Sequence, residues 1–149
     1  MNNRDQCRSL KVLLIEDNPN DVVLTELAMK KGKLHSNLHR AMNGEEALKF
    51  LHNKDKYKNA PRPDIILLDW NLPNIDGREV LENIKEDPEL KHIPVVVLTI
   101  SDAKNDILEA YNLHANCFIT KPFNLKQFFN VIKYIRDFWT NIVKLPRDE

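Results

Sequence analysis

The chain predicts an α/β fold, a doubly wound parallel sheet of five strands with five helices. Three observations predict it. Apolar segments of strand length alternate with segments whose apolar residues recur three or four apart. Two strand segments, residues 65–68 and 95–98, are unbroken apolar runs, which suits strands buried on both faces. Polar groups then follow the strands abruptly: Glu16-Asp17, Asp69, Thr99 and Lys121. In a parallel sheet all strand C-termini lie on one edge, the edge at which open α/β sheets bind ligands.

The first strand, residues 11–15, ends in two acids and the turn residues Asn18, Pro19 and Asn20. Asn20 or Asp21 suits a helix cap, and Asp21 also suits the positive N-terminal end of a helix. Val23, Leu24, Leu27 and Ala28 recur at helical spacing, and Gly32 suits the C-terminal stop. A strand over residues 38–42 is polar, with His39 and Arg40, and Asn43-Gly44 turns the chain out of it. Residues 45–54 read as a helix with Ala47, Leu48 and Leu51 on one face and Phe50 beside it. A polar loop bounded by prolines leads to the third strand. Asn71, Leu72, Pro73 and Gly77 force a tight loop after its terminal Asp69.

Residues 78–86 form the third helix, with Val80, Leu81 and Ile84 inward and Pro88 as its end. Pro94 introduces the fourth strand, which runs out into Thr99-Ile100-Ser101-Asp102. Residues 103–112 suit a helix around Ile107, Leu108 and Tyr111. The last strand, residues 117–119, precedes Thr120-Lys121-Pro122-Phe123. Asn124 or its neighbour caps a final helix in which Leu125, Phe128, Phe129, Ile132 and Ile135 recur. Beyond it, Phe138, Trp139, Ile142, Val143 and Leu145 make an unusually apolar extension.

With 149 residues, 42% hydrophobic and 30% charged, the chain suits one soluble globular domain. Its formal net charge of zero draws it towards neither nucleic acid nor an anionic membrane. No apolar run reaches the roughly 20 residues of a membrane span, and the N-terminus lacks a signal-type apolar core. Cys7 and Cys117 make neither a disulfide framework nor a metal cluster, so a reducing, cytoplasmic location is expected. Cys117, in an apolar stretch, is expected to be a buried inert thiol.

Asp69 taken alone reads as a cap or turn residue. Together with an acid pair, a hydroxyl and a lysine at the other strand ends, it reads as part of a site. Three converging carboxylates repel one another and their pKa values rise unless a cation relieves them. Mg²⁺ suits such a cluster, being a hard ion that takes one or two carboxylates and completes its shell with water and phosphate oxygens. A lysine supplies a second positive charge and a hydroxyl a neutral donor. That set suits phosphoryl transfer, with Asp69 as candidate nucleophile.

These residues resemble the receiver domain of two-component response regulators over residues 9–137. The resemblance rests on Glu16-Asp17, LLDWNLPNIDG, PVVVLTIS and Thr120-Lys121-Pro122-Phe123. It implies a flavodoxin-like receiver fold with strand order 2-1-3-4-5. It also implies that Asp69 takes a phosphoryl group from a phosphohistidine of a partner histidine kinase. Asp17 and Asp69 would bind Mg²⁺ through carboxylates, Asn71 through its carbonyl and Glu16 through water, with Mn²⁺ able to substitute. Lys121 would pair with a phosphoryl oxygen, and Thr99 would swing towards it and let Phe118 rotate inwards. The Lys121–Pro122 bond resembles one that is usually cis in the family. Residues 60–63, the Asp69 segment and the tail look more narrowly like small stand-alone regulators of cyanobacterial phytochrome kinases. Two positions depart from the family: Ile100 stands where a small residue is usual, and His114 where glycine is common.

The expected function is thus a phosphorylation-controlled signalling module without an output segment, acting through another protein or through dimerisation. At most it would phosphorylate and dephosphorylate itself slowly with Mg²⁺. A phosphatase cycling through an aspartyl-phosphate is the competing reading. It lacks the acid/base that haloacid dehalogenase enzymes carry two residues after the nucleophile, where this chain has Asn71. A nucleotide-binding fold fails because no glycine-rich loop follows the first strand and Glu16-Asp17 would repel an anion there. The extension, residues 138–149, either folds back on its own core or forms a homodimer seam with the last helix.

Overall fold

Runs of aliphatic residues make the middle of the sheet, because only they can be buried on both faces without leaving polar groups unpaired. The computed structural model describes residues 10–30, 36–100, 102–121 and 124–146, the side chains of Ser36 and Asn141 excepted. Its strands are β1 (Leu10–Ile15), β2 (Ser36–Ala41), β3 (Ile65–Leu68), β4 (Val95–Thr99) and β5 (Cys117–Thr120). Between and after them run α1 (Pro19–Lys30), α2 (Gly44–Leu51), α3 (Gly77–Glu86), α4 (Lys104–Asn112) and α5 (Leu125–Asp137). A 3-10 turn (Asp55–Tyr57) follows α2, and a π-helical turn (Phe138–Ile142) continues α5. All pairings are parallel, in the order β2-β1-β3-β4-β5, so the flavodoxin-like order expected from the sequence is the observed one.

Alternation along the strands sorts the core into two layers. Leu13, Ile15, Ile66, Leu68, Val95 and Val97 pack with Ala47, Phe50, Val80, Leu81, Ile84 and Ala110 from α2, α3 and α4. Val12, Leu14, Ile65, Leu67, Val96 and Leu98 face α1 and α5 through Val22, Ala28, Met29, Phe128, Ile132 and Ile135. All four residues of β3 have no exposed surface. At about 1.5–3 kcal/mol for each fully buried aliphatic side chain, this strand anchors the sheet and everything that follows it.

The structure differs from the sequence expectations in a few places. Asn18, and neither Asn20 nor Asp21, caps α1, its Oδ1 accepting the N–H groups of Asn20 and Asp21 at 2.9 and 3.4 Å. The buried face of α1 is Val22, Thr25, Ala28 and Met29, while Val23 and Leu27 are exposed. A polar residue can sit on that face because the Thr25 hydroxyl donates to the Asp21 carbonyl at 2.8 Å. On α4 it is Ala110 that is buried, and Leu108 and Tyr111 face outwards. The polar strand begins at Ser36, earlier than its expected start, and ends at Ala41. Cys117 is half-buried, and burial pushes its thiol pKa up. The Gly32 stop and the Lys121–Pro122 bond lie outside the described residues.

The extension divides in two. Leu145 is buried in the α1–α5 layer and Trp139 packs against it, while Phe138 and Ile142 stay exposed.

Candidate functional site

Asp69 continues the line of β3, its N–H donating to the Ile15 carbonyl at 3.0 Å. The chain then turns under the start of α3. Gly77 donates its N–H to the Trp70 carbonyl at 3.0 Å. A Cβ at Gly77 would come within 2.6 Å of the Trp70 Cα and 2.7 Å of the Asp69 carbonyl oxygen. The glycine is therefore required by this close approach, which fixes the backbone of Asp69. Asp69 Oδ1 accepts the Asn71 N–H at 3.1 Å, an Asx turn that orients the carboxylate.

Beside it the acid pair is held by the neighbouring strand. Glu16 donates its N–H to the Ala41 carbonyl at 3.1 Å. Arg40 of β2 donates to the carbonyls of Glu16 and Asp17 at 3.2 and 3.4 Å. Glu16, Asp17 and Asp69 each offer a carboxylate oxygen within 4.8 Å of the others. Glu16 and Asp69 are buried and Asp17 is exposed, so the cluster is open on one side. A cleft of about 410 Å³ adjoins it, lined by Asp17, Trp70, Asn71, Asp106 and Glu109 among others. Hard oxygen donors at this spacing fit a divalent cation.

The buried Lys121 ammonium meets this cluster from the end of β5. It donates to Glu16 Oε1 at 2.6 Å and Asp21 Oδ2 at 2.8 Å, and lies 3.6 Å from Asp69 Oδ2. Burial pushes the Glu16 carboxyl up to about 7, and the nearby Asp69 adds to the rise against the pull of Lys121. Burial alone would lower Lys121, but its hydrogen bonds to Asp21 and Glu16 and the charges of Asp69 and Glu16 outweigh it and raise its pKa. Thr99 is fully buried at the end of β4, its Oγ1 accepting the Asn71 side-chain amide at 3.3 Å. Phe118 is half-buried on the α2–α4 layer, and its N–H donates to the Tyr111 hydroxyl at 3.2 Å. Ile100 is exposed.

Residues 12–133 match the family described as the response regulator receiver domain. The chain belongs to that family. Response regulator Rcp1 of Synechocystis sp. is 45% identical over 135 residues, covering 91% of this receiver and 92% of Rcp1. A crystal structure of the phosphorylated cyanobacterial phytochrome response regulator RcpA superposes with a TM-score of 0.90 at 46% identity, covering 93% of this receiver and 99% of RcpA. The Mn²⁺-bound form of Rcp1 gives a TM-score of 0.88 at 44% identity over 92% of this receiver and 99% of that chain.

Every candidate residue read from the receiver's strand ends lies at one edge of the sheet, with Phe118 on β5 set back into the core. Two residues outside that set also reach the site: Asp21 accepts from Lys121, and Arg40 holds the backbone of the acid pair. In the sequence Asp21 has the place of a helix-start acid and Arg40 that of a residue in a polar strand. Their partners are 100 and 24 residues away, and no local spacing encodes such contacts.

Proposed function

We propose that this receiver accepts a phosphoryl group on Asp69 from a phosphohistidine of a partner histidine kinase, a phytochrome. The observation that carries the reading is the position of Asp69: oriented by Asn71, beside two further acids, and 3.6 Å from the Lys121 ammonium. An Asp69 oxygen attacks phosphorus as the P–N bond to the donor histidine breaks, and the electron pair leaves on the imidazole, which takes up a proton. Lys121 balances charge on the phosphoryl oxygens. Mg²⁺, held by Asp17 and Asp69 with the Asn71 carbonyl and with Glu16 through water, would supply the remaining positive charge, and Mn²⁺ would serve in its place. Thr99 then exchanges its bond from Asn71 for one to a phosphoryl oxygen, Phe118 turns inwards, and the surface around α4 changes its partner affinity. Self-phosphorylation and hydrolysis are at most slow, because Asn71 offers no acid to discharge the phosphate.

The phytochrome partner is supported by RcpA, a cyanobacterial phytochrome response regulator by name. We place the receiver over residues 9–137, in the cytoplasm. Residues 138–149 would join a homodimer seam, supported by Tyr134 and Ile142, each 70% exposed, with exposed Phe138 between them in sequence. Tyr134→Ser with Ile142→Ser tests this without removing the buried Leu145. Sedimentation should show a dimer that the double variant dissociates, and a monomeric wild type would sink the seam.

Incubation with Mg²⁺ and acetyl phosphate should add one phosphoryl group by intact mass. An Asp69→Asn protein that still gained it would show another acceptor. Transfer from candidate phytochrome kinases then tests the partner.

A further inference from the structure

Lys121 makes a contact that the phosphotransfer scheme does not use. Its Nζ is shared between Glu16 at 2.6 Å and Asp21 at 2.8 Å, closer than the 3.6 Å to Asp69. Asp21 stands in the first turn of α1 and outside the three-carboxylate cluster. Capping does not explain its orientation, because Asn18 already takes the free N–H groups at the start of that helix. The Asp21 Oδ2 is directed across the molecule at an ammonium that is 6% exposed.

We propose that Asp21 is a positioning residue that competes with the phosphoryl group for Lys121. This rests on the reading of Asp69 as phosphoacceptor and Lys121 as its cationic partner. An ammonium has three donors, and two already face Glu16 and Asp21. A phosphoryl group on Asp69 brings more negative charge and three acceptor oxygens to the remaining side. If Asp21 keeps its bond, the phosphoryl group receives only a share of the lysine. If Asp21 releases it, a carboxylate only 25% exposed is left without its cation beside an added anion. Both routes disfavour the phosphorylated form. The ion pair therefore biases the site towards its resting state and sets the fraction phosphorylated at a given donor concentration.

The test compares wild type, Asp21→Asn, Asp21→Glu and Asp69→Asn at fixed Mg²⁺ and acetyl phosphate, with the phosphorylated fraction read by intact mass and its decay followed after donor removal. Asp21→Asn should raise the ratio of phosphorylated to unphosphorylated protein about two- to fivefold, as loss of one partly exposed ion pair allows. Asp21→Glu, which keeps the charge, should stay near wild type. An unchanged or lowered ratio in Asp21→Asn overturns the proposal, and so does an equal rise in Asp21→Glu. Asp21→Ser provides a second charge-free variant should the Asn protein fail to melt cooperatively. If the wild type takes up no phosphoryl group, or Asp69→Asn takes up as much, the phosphoacceptor reading itself falls; uptake confined to Asp69 with no Asp21 effect sinks the competition alone.

Discussion

Two aspartates bracket β3, and each is 8% exposed. Asp64 precedes the strand and Asp69 follows it. Asp64 Oδ2 accepts the Lys11 N–H at 2.8 Å, and the Asp64 N–H donates to the Lys11 carbonyl at 2.7 Å. It stitches the starts of two neighbouring strands together. Asp69 has two more carboxylates and an ammonium around its side chain. Burial alone therefore does not distinguish an acid that joins two strands from one set in a charged cluster. What differs is the company that the parallel sheet supplies, because successive strands deliver the start of a loop to one edge and the end of a loop to the other.

The sharpest way to break this contrast is to remove each acid in turn. Asp69→Asn should lose phosphoryl uptake from acetyl phosphate to below detection by mass and keep a cooperative unfolding transition. Asp64→Ala should keep uptake and lose about 1–3 kcal/mol in urea unfolding, the cost of leaving the Lys11 N–H unpaired. Reversed phenotypes would end the distinction. Gly77→Ala should cost about 1–3 kcal/mol, since the added methyl meets backbone on the Asp69 side. It should also slow phosphorylation of the folded protein, because the same shift moves Asp69. A stable variant of normal rate would show that the α3 start does not fix the acceptor.

A subtler separation uses pH. Glu16 binds its proton more tightly in the folded chain, with a pKa raised from 4.5 to about 7. Between those values the folded state holds a proton that the unfolded state has released. Stability of the metal-free protein should therefore fall as pH rises through this window and level off above about 7. Thermal melts of wild type and Glu16→Gln should show the slope in the first and a flatter profile in the second. The smallest effect lies in the loop before β5. His114 has a φ of 73°, a left-handed backbone that suits glycine. His114→Gly should stabilise by about 1 kcal/mol without changing uptake.

The acid edge was legible in the sequence because strand ends are local features: an apolar run stops and a charged residue follows. The central strands were legible for the same reason. The faces of α1 and α4 were less so. Val23, Leu27, Leu108 and Tyr111 are apolar or aromatic at helical spacing yet exposed, while Thr25 and Ala110 are buried. Composition counts hydrophobic side chains, whereas packing also rewards small ones and hydroxyls that find a carbonyl. Asp21 has the local signature of a helix-start acid alone, and its bond to Lys121 spans 100 residues. The amide of Asn71 reaching the Thr99 hydroxyl is another such contact. Pairings across loops depend on the assembled sheet, and a single sequence carries no periodicity that announces them.

The burial of Leu145 has a further consequence. Together with Lys11, Asp64 and Pro94 it lines a cavity of about 200 Å³ at the strand starts. The beginning of β1 and the tail after the π-helical turn are thus gathered at one end of the sheet, and Glu16, Asp17 and Asp69 at the other. A strand's length, roughly 3.3 Å per residue, lies between them. A linker joined at either residue 10 or residue 145 would pull on the far end of the molecule and leave the acid edge facing outwards. Captured on a surface by that end, the receiver would hold its reactive rim towards solution, within reach of any donor that arrives.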